Sequence, residues 1–398
     1  MEKIIRRVRE ASLELAALSS EQKNQALDTY IQVLKEKKQL LLEANARDLS
    51  EQKGKISASL YQRLELSEVK IQVLIQGLRE VQQLPDPVGQ CTLEHWIKED
   101  LVLQRVTTPI GVIGIIFESR PDAAIQISSL LLKSGNGGLL KGGSEACHSN
   151  QAIAEILREL TQRCPFLPHS WIEFIETRQD VAEMLSYHQE INLVIPRGSN
   201  QLVQTVMNST KIPVLGHADG ICHLYVDENC DFKQAIKIIV NAKTQYPSAC
   251  NALETLLVHK NLFAKVKQEL KKNHPEVELI ENPVSWSIEY SENKLAIKSV
   301  ASSEEAINHI NTYGSHHTDG ILTTNKGLAE TFLKKVDSSS VFVNSSTRLA
   351  DGFQYGFGAE VGISTNKTHA RGPLGLEGLV IYKYLLRCES GSASGLRN

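Results

Sequence analysis

The chain has 398 residues, 41% of them hydrophobic and 22% charged, which is the composition of an ordinary globular protein with about two or three domains. Its net charge of −3 argues against a dedicated nucleic-acid surface, which is normally basic. No apolar run approaches the ~20 residues of a membrane span, so we expect no membrane association. The charged N-terminus lacks the apolar core of a signal peptide.

Residues 1 to about 85 are predicted to be helical. Apolar residues follow helical spacing from Ile4, Ser19 marks the start of a second helix, and a third helix is expected over Ser67 to Gln82. Residues 92–107 alternate like a β-hairpin. At the other end of the chain, the tail 390–398 is expected to be loose.

From Pro109 onward, strands alternate with helices, which predicts a doubly wound parallel sheet of the α/β class. The apolar run 109–117 is the first expected strand, and a helix follows at 123–133. The next strand breaks at Gly142 and Gly143, after which Ser144 is expected to cap a helix.

Two strand-to-helix turns are candidates for a phosphate-bearing cofactor. They are Lys141-Gly142-Gly143-Ser144 and Arg197-Gly198-Ser199. Glycine lets an anion approach the backbone, and a helix N-terminus beside a cation favours negative charge. Neither turn matches G-x-G-x-x-G or the P-loop, so ordinary turn chemistry is the alternative for each. Because consecutive turns of one sheet each carry a cation, the cofactor interpretation is favoured.

Cys250 is the candidate nucleophile. It follows Pro247, Ser248 and Ala249 and precedes a strand-like apolar run, so small neighbours leave room for a substrate carbonyl. The alternative is a buried structural cysteine. The seven cysteines form no C-x-x-C pair and no zinc-spaced cluster, so a reduced, cytoplasmic location fits best and no metal is expected. The adjacent histidines at 316 and 317 are expected to point in different directions.

The last informative stretch, 343–377, is rich in glycine and carries scattered Asn, Arg, Asp and Glu. Its weak periodicity predicts an ordered loop, and ordered loops of this length are usually functional. A subunit interface is the alternative interpretation.

Taken together, these blocks resemble the aldehyde dehydrogenase superfamily, and within it the enzymes that reduce glutamyl 5-phosphate. The blocks that carry the resemblance are Pro109–Pro121, Ser134–Gly143, Ile195–Gly198, Pro247–Asn251, Val300–Asp319, Asn344–Gly352 and His369–Glu377. They occur in order and span nearly the whole chain.

The resemblance implies three parts. These are a Rossmann-type NADP-binding domain in 1–91 and 108–216, an α/β catalytic domain in 217–377, and a small β oligomerisation element in 92–107 and 378–398. It also implies NADPH-dependent reduction of L-glutamyl 5-phosphate to L-glutamate 5-semialdehyde through a cysteine thioester, in proline synthesis. The implied partners are the acyl phosphate substrate, further copies of the chain and glutamate 5-kinase.

The resemblance also assigns roles to individual residues. Cys250 is implied as the nucleophile, with the Asn251 amide near its oxyanion. The cofactor would be held by Lys141 with Gly142, Gly143 and Ser144 at the adenosine ribose or its 2′-phosphate, by Arg197, Gly198 and Ser199 at the pyrophosphate, and by Glu289 at the nicotinamide ribose. Arg348 and Arg371 are candidates for the α-carboxylate or the phosphate of the substrate, since arginine grips either bidentately.

Two departures from the superfamily pattern carry chemical information. Val214 stands where hydrolytic relatives have a glutamate base, so water is not readily activated to cleave a thioester. Arg120 stands at about the place of the oxyanion asparagine, where it would serve the oxyanion or the phosphate. The alternatives are a non-phosphorylating aldehyde dehydrogenase, against which Val214 speaks, and a catalytically silent binding or scaffolding protein, against which Cys250 and Lys141 speak.

Overall fold

A computed structural model of the chain describes residues 1–216 and 219–389, apart from the side chains of residues 58 and 59. The described residues divide into two compact units. The first unit comprises 1–215, 357–362 and 374–389, and the second comprises the described part of 216–356 together with 363–373. The tail 390–398, which was expected to be loose, lies outside the described residues.

The first unit begins with helices, as predicted, but with more of them than the sequence indicated. They are α1 (Glu2–Ala16), α2 (Ser20–Glu36), α3 (Lys38–Gln52), α4 (Ala58–Leu64) and α5 (Glu68–Gln83). The predictions for α1, α2 and α5 are confirmed. Ser19 caps α2 in a reciprocal capping box with Gln22. The buried face of α3 is formed by Leu41, Asn45 and Asp48, so its apolar pattern is weak.

The predicted hairpin is also confirmed. Strands β1 (Cys91–Lys98) and β2 (Leu101–Pro109) pair antiparallel, with Cys91 opposite Val106.

The parallel sheet of the first unit has the strand order β5–β4–β3–β6. Its elements follow one another along the chain as β3 (Val112–Phe117), α6 (Pro121–Ser134), β4 (Gly137–Gly142), α7 (Cys147–Arg163), β5 (Ile172–Phe174), α8 (Arg178–Met184), β6 (Leu193–Arg197) and α9 (Asn200–Ser209). Every pairing in it is parallel, as the alternation of strands and helices predicts. Helix α1 packs on this sheet through Ile5 and Val8, which join a buried cluster with Val112, Ile116 and Leu139.

The prediction that Ser144 caps the helix after β4 is wrong. Residues Ser144–Ala146 form a short 3₁₀ helix, and α7 begins only at Cys147. The buried carboxylate of Asp48, on α3, instead accepts the backbone N–H groups of His148 at 2.9 Å and Ser149 at 2.8 Å. A distant side chain therefore satisfies the helix N-terminus, and the local sequence does not reveal it.

The second unit is built on another parallel sheet, with the order β12–β11–β7–β8–β10–β9. Its elements are β7 (Cys222–Val226), α10 (Phe232–Thr244), β8 (Leu253–His259), α11 (Lys260–Asn273), β9 (Glu278–Ile280), β10 (Lys294–Val300), α12 (Ser303–Tyr313), β11 (Thr318–Leu322), α13 (Lys326–Lys335), β12 (Ser340–Val343), β13 (Ile363–Ser364) and β14 (Gly372–Pro373). Strand residues alternate between its two faces. Leu224 and Val226 enter one buried cluster, and Tyr225 enters the other.

The final strand, β15 (Val380–Cys388), belongs to the first unit and pairs antiparallel with β2, giving a sheet of order β1–β2–β15. Asn136 holds the residue just before this strand, because the Asn136 side-chain amide donates to the carbonyl oxygen of Leu379 at 2.8 Å. Within the described residues, no helix combines the length and apolar character that crossing a membrane requires.

Candidate active site

In the first unit, the carboxyl ends of three strands meet at one edge of the sheet. Phe117 at the end of β3 lies opposite Gly142 of β4 and Arg197 of β6. This register places the turn 118–120 between the two candidate cofactor turns. The prediction that those two turns are consecutive is wrong, because β5 lies between β4 and β6 in the chain and β3 lies between them in the sheet. The carboxyl edge of an open parallel sheet is the usual place for a ligand in such folds.

The turn that follows Lys141 borders a cavity. The Lys141 ammonium group donates to the carbonyl oxygen of Gly142 at 2.5 Å, and burial lowers its pKa from the ordinary value. The cavity has a volume of about 550 Å³ and is lined by Gly142, Gly143 and Ser144 together with residues of α7 and β5. It is large enough for part of a dinucleotide.

The carboxylate of Glu145 turns toward the neighbouring strand end. It accepts the backbone N–H of Ser119 at 2.5 Å and the hydroxyl of Ser119 at 2.8 Å. A Cβ on Gly143 would overlap this carboxylate, so the close packing requires glycine at 143. Glu145 thus links the turns after β3 and β4.

The turn after β6 is held at both ends. The Arg197 guanidinium donates to the carbonyl oxygen of Glu360 at 2.8 Å. The Ser199 hydroxyl caps α9 by accepting the backbone N–H of Leu202. The carboxylate of Glu118 accepts the N–H of Ser199 at 2.7 Å, and a Cβ on Gly198 would overlap Glu118. A negative group therefore already lies at this helix N-terminus, where an anion is electrostatically favoured.

Arg120 and Val214 complete the predicted residues of this unit. Arg120 is half-buried and directly precedes Pro121, the first residue of α6. Val214 is half-buried and forms an isolated parallel bridge with Val194 of β6.

In the second unit, Cys250 lies on the turn that joins α10 to β8. The turn is closed by backbone hydrogen bonds from Ala249 to Tyr246 and from Ala252 to Ala249. Cys250 is half-buried and free of any disulfide. A half-buried thiol on such a turn is accessible to a substrate, and the strand that follows it, β8, is buried.

The neighbours of Cys250 contact the loop that carries Arg348. Asn251 is buried, and its side-chain amide donates to the carbonyl oxygen of Ala350 at 2.9 Å. The Arg348 Nε group donates to the side-chain oxygen of Gln245 at 2.7 Å. The structure therefore brings together Cys250, Asn251 and Arg348, which are separated by about a hundred residues in sequence.

Strand β7 approaches the same turn from the other side. The Cys222 thiol is buried and donates to the carbonyl oxygen of Cys250 at 3.4 Å. Burial raises the pKa of Cys222 well above its ordinary value, so this thiol is neutral. Gly220 packs on the Cys250 backbone, and its N–H donates to the carboxylate of Glu289 at 3.1 Å. Gly220 thus links Glu289 to the turn that carries Cys250.

A buried ion pair supports this region. Lys243 and Glu254 are fully buried, with 2.9 Å between ammonium and carboxylate. The Glu254 carboxylate also accepts the N–H groups of Tyr290 and Ser291 at 3.3 Å each. Burial raises the pKa of Glu254, and Lys243 acts in the opposite direction. The pair fixes the segment that follows Glu289 beneath the turn.

Arg371, the other arginine predicted to bind the substrate, is paired with an acidic residue. Its guanidinium donates to the side-chain carboxylate of Asp337 and to the backbone carbonyl of the same residue, both at 3.1 Å. The pKa of Asp337 is lowered, first by its hydrogen bond to Lys367 and then by Arg371.

The described part of the chain contains no group of three or more His, Cys, Asp or Glu side chains arranged to hold a metal. His316 and His317 contact different partners, the carbonyl oxygen of Asp337 and the hydroxyl of Thr318.

Sequence reasoning missed several residues around these sites. Glu118, Glu145, Gln245 and Cys222 lie in or beside the motifs that it used, but their partners lie on other elements. Only the positions of these residues in the sequence could have indicated them. Glu118 directly follows a buried strand, and Gln245 directly follows a helix, two residues before the Pro247–Asn251 motif.

Comparisons with known proteins show the family and the fold. The model of the aldehyde dehydrogenase family matches residues 1–288, and the chain belongs to that family. An acetylating aldehyde dehydrogenase from Geobacillus thermoglucosidasius, 17% identical, has the same fold, with a TM-score of 0.71 over 100% of this chain and 96% of that one.

Within the family, the chain groups with the gamma-glutamyl phosphate reductases. The relative with that name from Acetivibrio thermocellus is 52% identical over 95% of this chain and 91% of the relative. The one from Pelotomaculum thermopropionicum is 52% identical over 97% and 92%. A crystal structure of gamma-glutamyl phosphate reductase from Thermotoga maritima, 40% identical, gives a TM-score of 0.92 over 100% of this chain and 99% of that one.

Proposed function

We propose that this protein reduces L-glutamyl 5-phosphate to L-glutamate 5-semialdehyde and phosphate, with NADPH as the hydride donor, as the second step of proline synthesis from glutamate. The observation that carries this proposal is the 52% identity, over nearly the full length, to relatives named for this reaction. The half-buried thiol of Cys250, which forms no disulfide and lies on an ordered turn, supplies the chemistry that the reaction needs.

Cys250 attacks the γ-carbonyl carbon of the acyl phosphate as a thiolate. Phosphate leaves with the electron pair of the broken carbon–oxygen bond, and a thioester remains on Cys250. The backbone N–H of Cys250 stabilises the oxyanion, with the Asn251 amide as a second donor in the proposal. Asn251 already uses one of its amide hydrogens to hold Ala350, and the other is left for this task.

NADPH, when bound, would supply the hydride that reduces the thioester carbonyl. The resulting hemithioacetal anion forms the aldehyde as its carbon–sulfur bond breaks, and Cys250 leaves as the thiolate. Val214, at the position of the base in hydrolytic relatives, has no group that can activate water. The thioester is therefore protected from hydrolysis, which would waste the acyl group.

The residues of the first unit fit a dinucleotide. Gly142, Gly143 and Ser144, which follow Lys141, border a cavity of about 550 Å³, and the two glycines leave no side chain between backbone and ligand. We assign Lys141, Gly142, Gly143 and Ser144 to the adenosine ribose or its 2′-phosphate, Arg197, Gly198 and Ser199 to the pyrophosphate, and Glu289 to the nicotinamide ribose. Glu118 must release the Ser199 N–H when the pyrophosphate binds there.

A preference for NADPH over NADH follows from the charges near this turn. Lys141 supplies a cation, and Ser144 is small and neutral. The carboxylate of Glu145 is held by two hydrogen bonds to Ser119 and does not compete for the ribose hydroxyls. Replacement of Lys141 by Met is expected to raise the KM for NADPH about tenfold or more while changing the KM for NADH little, since only NADPH carries the 2′-phosphate. Equal changes for both cofactors would contradict the assignment.

The substrate's negative groups are assigned to arginines. In the proposal, Arg348 and Arg371 bind the phosphate and the α-carboxylate, and Arg120 stabilises either the oxyanion or the leaving phosphate. Arg371 is oriented by Asp337, which leaves its remaining N–H groups for a ligand.

The sheet β1–β2–β15 is the proposed oligomerisation element, which makes the protein a homo-oligomer. It exposes a group of large apolar side chains, namely Leu93, Trp96, Ile381, Tyr382, Tyr384 and Leu386. A patch of this kind is typical of a subunit interface. Glutamate 5-kinase, which makes the labile acyl phosphate, is the proposed partner, and the cytoplasm is the proposed compartment because Cys250 must remain a reduced thiol.

The reverse reaction gives the decisive experiment. Oxidation of glutamate 5-semialdehyde with NADP is expected to require inorganic phosphate, because phosphate must accept the acyl group from Cys250. Cys250→Ser is expected to abolish this oxidation while NADPH binding, followed by fluorescence, stays intact. Cys230→Ser, at a half-buried position outside the turn, is the matched control and keeps activity. Equal rates with and without phosphate would instead support a non-phosphorylating aldehyde dehydrogenase.

A further inference from the structure

The guanidinium of Arg348 is fixed by the segment that presents Cys250. Its Nε group donates to Gln245 at 2.7 Å, and its central carbon lies 5.8 Å from the ring centroid of Tyr246. Gln245 is the C-cap residue of α10, and Tyr246 begins the turn to Cys250. A planar cation over an aromatic face, tied at one edge by a hydrogen bond, has few orientations left.

A second contact fixes the same loop from the other side of the nucleophile. Asn251 is buried and holds the carbonyl oxygen of Ala350, two residues after Arg348. The Ser346 hydroxyl accepts from the Arg348 N–H at the start of the short 3₁₀ helix Thr347–Leu349. The residues on both sides of Cys250 therefore position the loop that carries Arg348.

The contacts of Arg348 with Gln245 and Tyr246 place its cation beside the turn that carries Cys250. Burial lowers the pKa of Arg348, and Cys250 is the first of the neighbouring acids, followed by Asp351, that act to raise it. By reciprocity, the arginine cation favours the ionised form of the thiol. This matters because the thiolate, not the thiol, is the nucleophile.

The other charged and titratable groups of this region have different partners. Asp351 accepts the N–H groups of Phe353 and Gln354, and Glu289 accepts that of Gly220. Lys243 forms a buried ion pair with Glu254. The Cys222 thiol on β7 is neutral, because burial raises its pKa.

We infer that Arg348, positioned by Gln245, is the cation that keeps Cys250 in its thiolate form before substrate binds. The inference deepens the proposed function, on which it rests for the role of Cys250 as the nucleophile. It gives an enzyme that lacks the general base of its hydrolytic relatives a way to ionise its nucleophile. It also gives Gln245 a role as a positioning residue.

The test measures the alkylation of Cys250 by iodoacetamide across a pH range in the full-length protein, with the modified peptide quantified by mass spectrometry. In the unaltered chain, the reaction is expected to reach half its maximal rate below pH ~8.5, the ordinary thiol value. Arg348→Met is expected to raise that midpoint by about one pH unit or more, which slows alkylation at pH 7 about tenfold. Gln245→Ala is expected to raise it less.

Two further variants separate ionisation from folding. Arg348→Lys retains the positive charge and is expected to keep a midpoint between those of the unaltered chain and Arg348→Met. Arg371→Met removes an arginine that is bound to Asp337 and is expected to leave the midpoint unchanged. A midpoint in Arg348→Met equal to that of the unaltered chain, with a native circular dichroism spectrum, overturns the inference.

This measurement does not require turnover. A raised midpoint in Arg348→Met together with semialdehyde oxidation that needs no phosphate would support the inference and overturn the proposed function. Phosphate-dependent oxidation together with an unchanged midpoint would do the reverse.

Discussion

The replacement Gly220→Ala tests whether the backbone beneath Cys250 must stay where the structure places it. A methyl group on residue 220 would lie 2.5 Å from the Cα atom of Cys250 and closer still to its carbonyl oxygen. Both neighbours are backbone atoms, so no side-chain rotation relieves the overlap. Either Gly220 or the nucleophile turn has to move.

The size of the effect follows from this geometry. Carbon atoms in good contact are about 3.5 Å apart, so the turn must shift by about 1 Å. A misplacement of about 1 Å in a reacting group lowers kcat about 100-fold. The free energy of unfolding is expected to fall by about 1–3 kcal/mol, as for other overpacked sites.

Three measurements check the prediction. They are kcat for phosphate-dependent oxidation of glutamate 5-semialdehyde, the rate of Cys250 alkylation, and unfolding in urea. Gly327→Ala is the matched control, because a methyl group at this position in α13 meets only the side-chain oxygen of Asn325, at 3.5 Å. In a helix, alanine is more stable than glycine by up to about 1 kcal/mol, so this variant should be active and slightly stabilised.

A Gly220→Ala protein that folds and keeps kcat within about a factor of two of the unaltered chain would refute the reasoning. That result would mean that the nucleophile tolerates displacement, or that residue 220 does not support it.

Other contacts give further expectations. Asp48→Ala should lower the free energy of unfolding by about 2–3 kcal/mol, because the N-terminus of α7 loses its buried acceptor. The exposed Asp28→Ala is the control in urea titrations, and an equal loss there would contradict this explanation. Lys243→Met should cost about 3–5 kcal/mol by leaving Glu254 buried without a cation, and adding Glu254→Leu should recover much of it. A double variant as unstable as the single one would argue against the pair. Burial lowers the pKa of His309 from 6.5 to about 3, so below pH 6.5 the unfolded chain binds the extra proton and stability falls until about pH 3. His309→Gln should flatten that decline in pH-dependent urea unfolding, and an unchanged slope would count against it.

Local sequence signals predicted the elements that depend on local contacts. Ser19 and Ser199 lie at the starts of helices and cap them, and residues 92–107 form the hairpin that their alternation indicates. The α/β class followed from strands and helices of ordinary length in alternation. The strand after Cys250 was also visible in the sequence, and the structure contains it as β8. The role of Cys250 as the nucleophile stays a prediction.

Features that depend on distant partners were not predictable. Helix α3 buries Asn45 and Asp48, so its inward face does not look apolar in the sequence. Asp48 caps α7 by accepting from a residue about a hundred positions away. Serine is a common helix cap, but Ser144 lies in a short 3₁₀ helix. The carboxylate of Asp48 accepts the N–H groups at the start of α7 instead. The contact between Gln245 and Arg348 is likewise a product of the folded second unit.

The pairing of β15 with β2 sets an order of assembly during synthesis. The second unit completes its large sheet with β12, while β2 still lacks the neighbour that β15 will provide. At typical translation rates the intervening ~270 residues take roughly 15 to 55 s to emerge. For that interval the nascent chain carries an open strand edge, which is a template for wrong pairing with other chains. Ribosome-associated chaperones would have most to protect at 101–109, and a premature stop before 380 would make that exposure permanent.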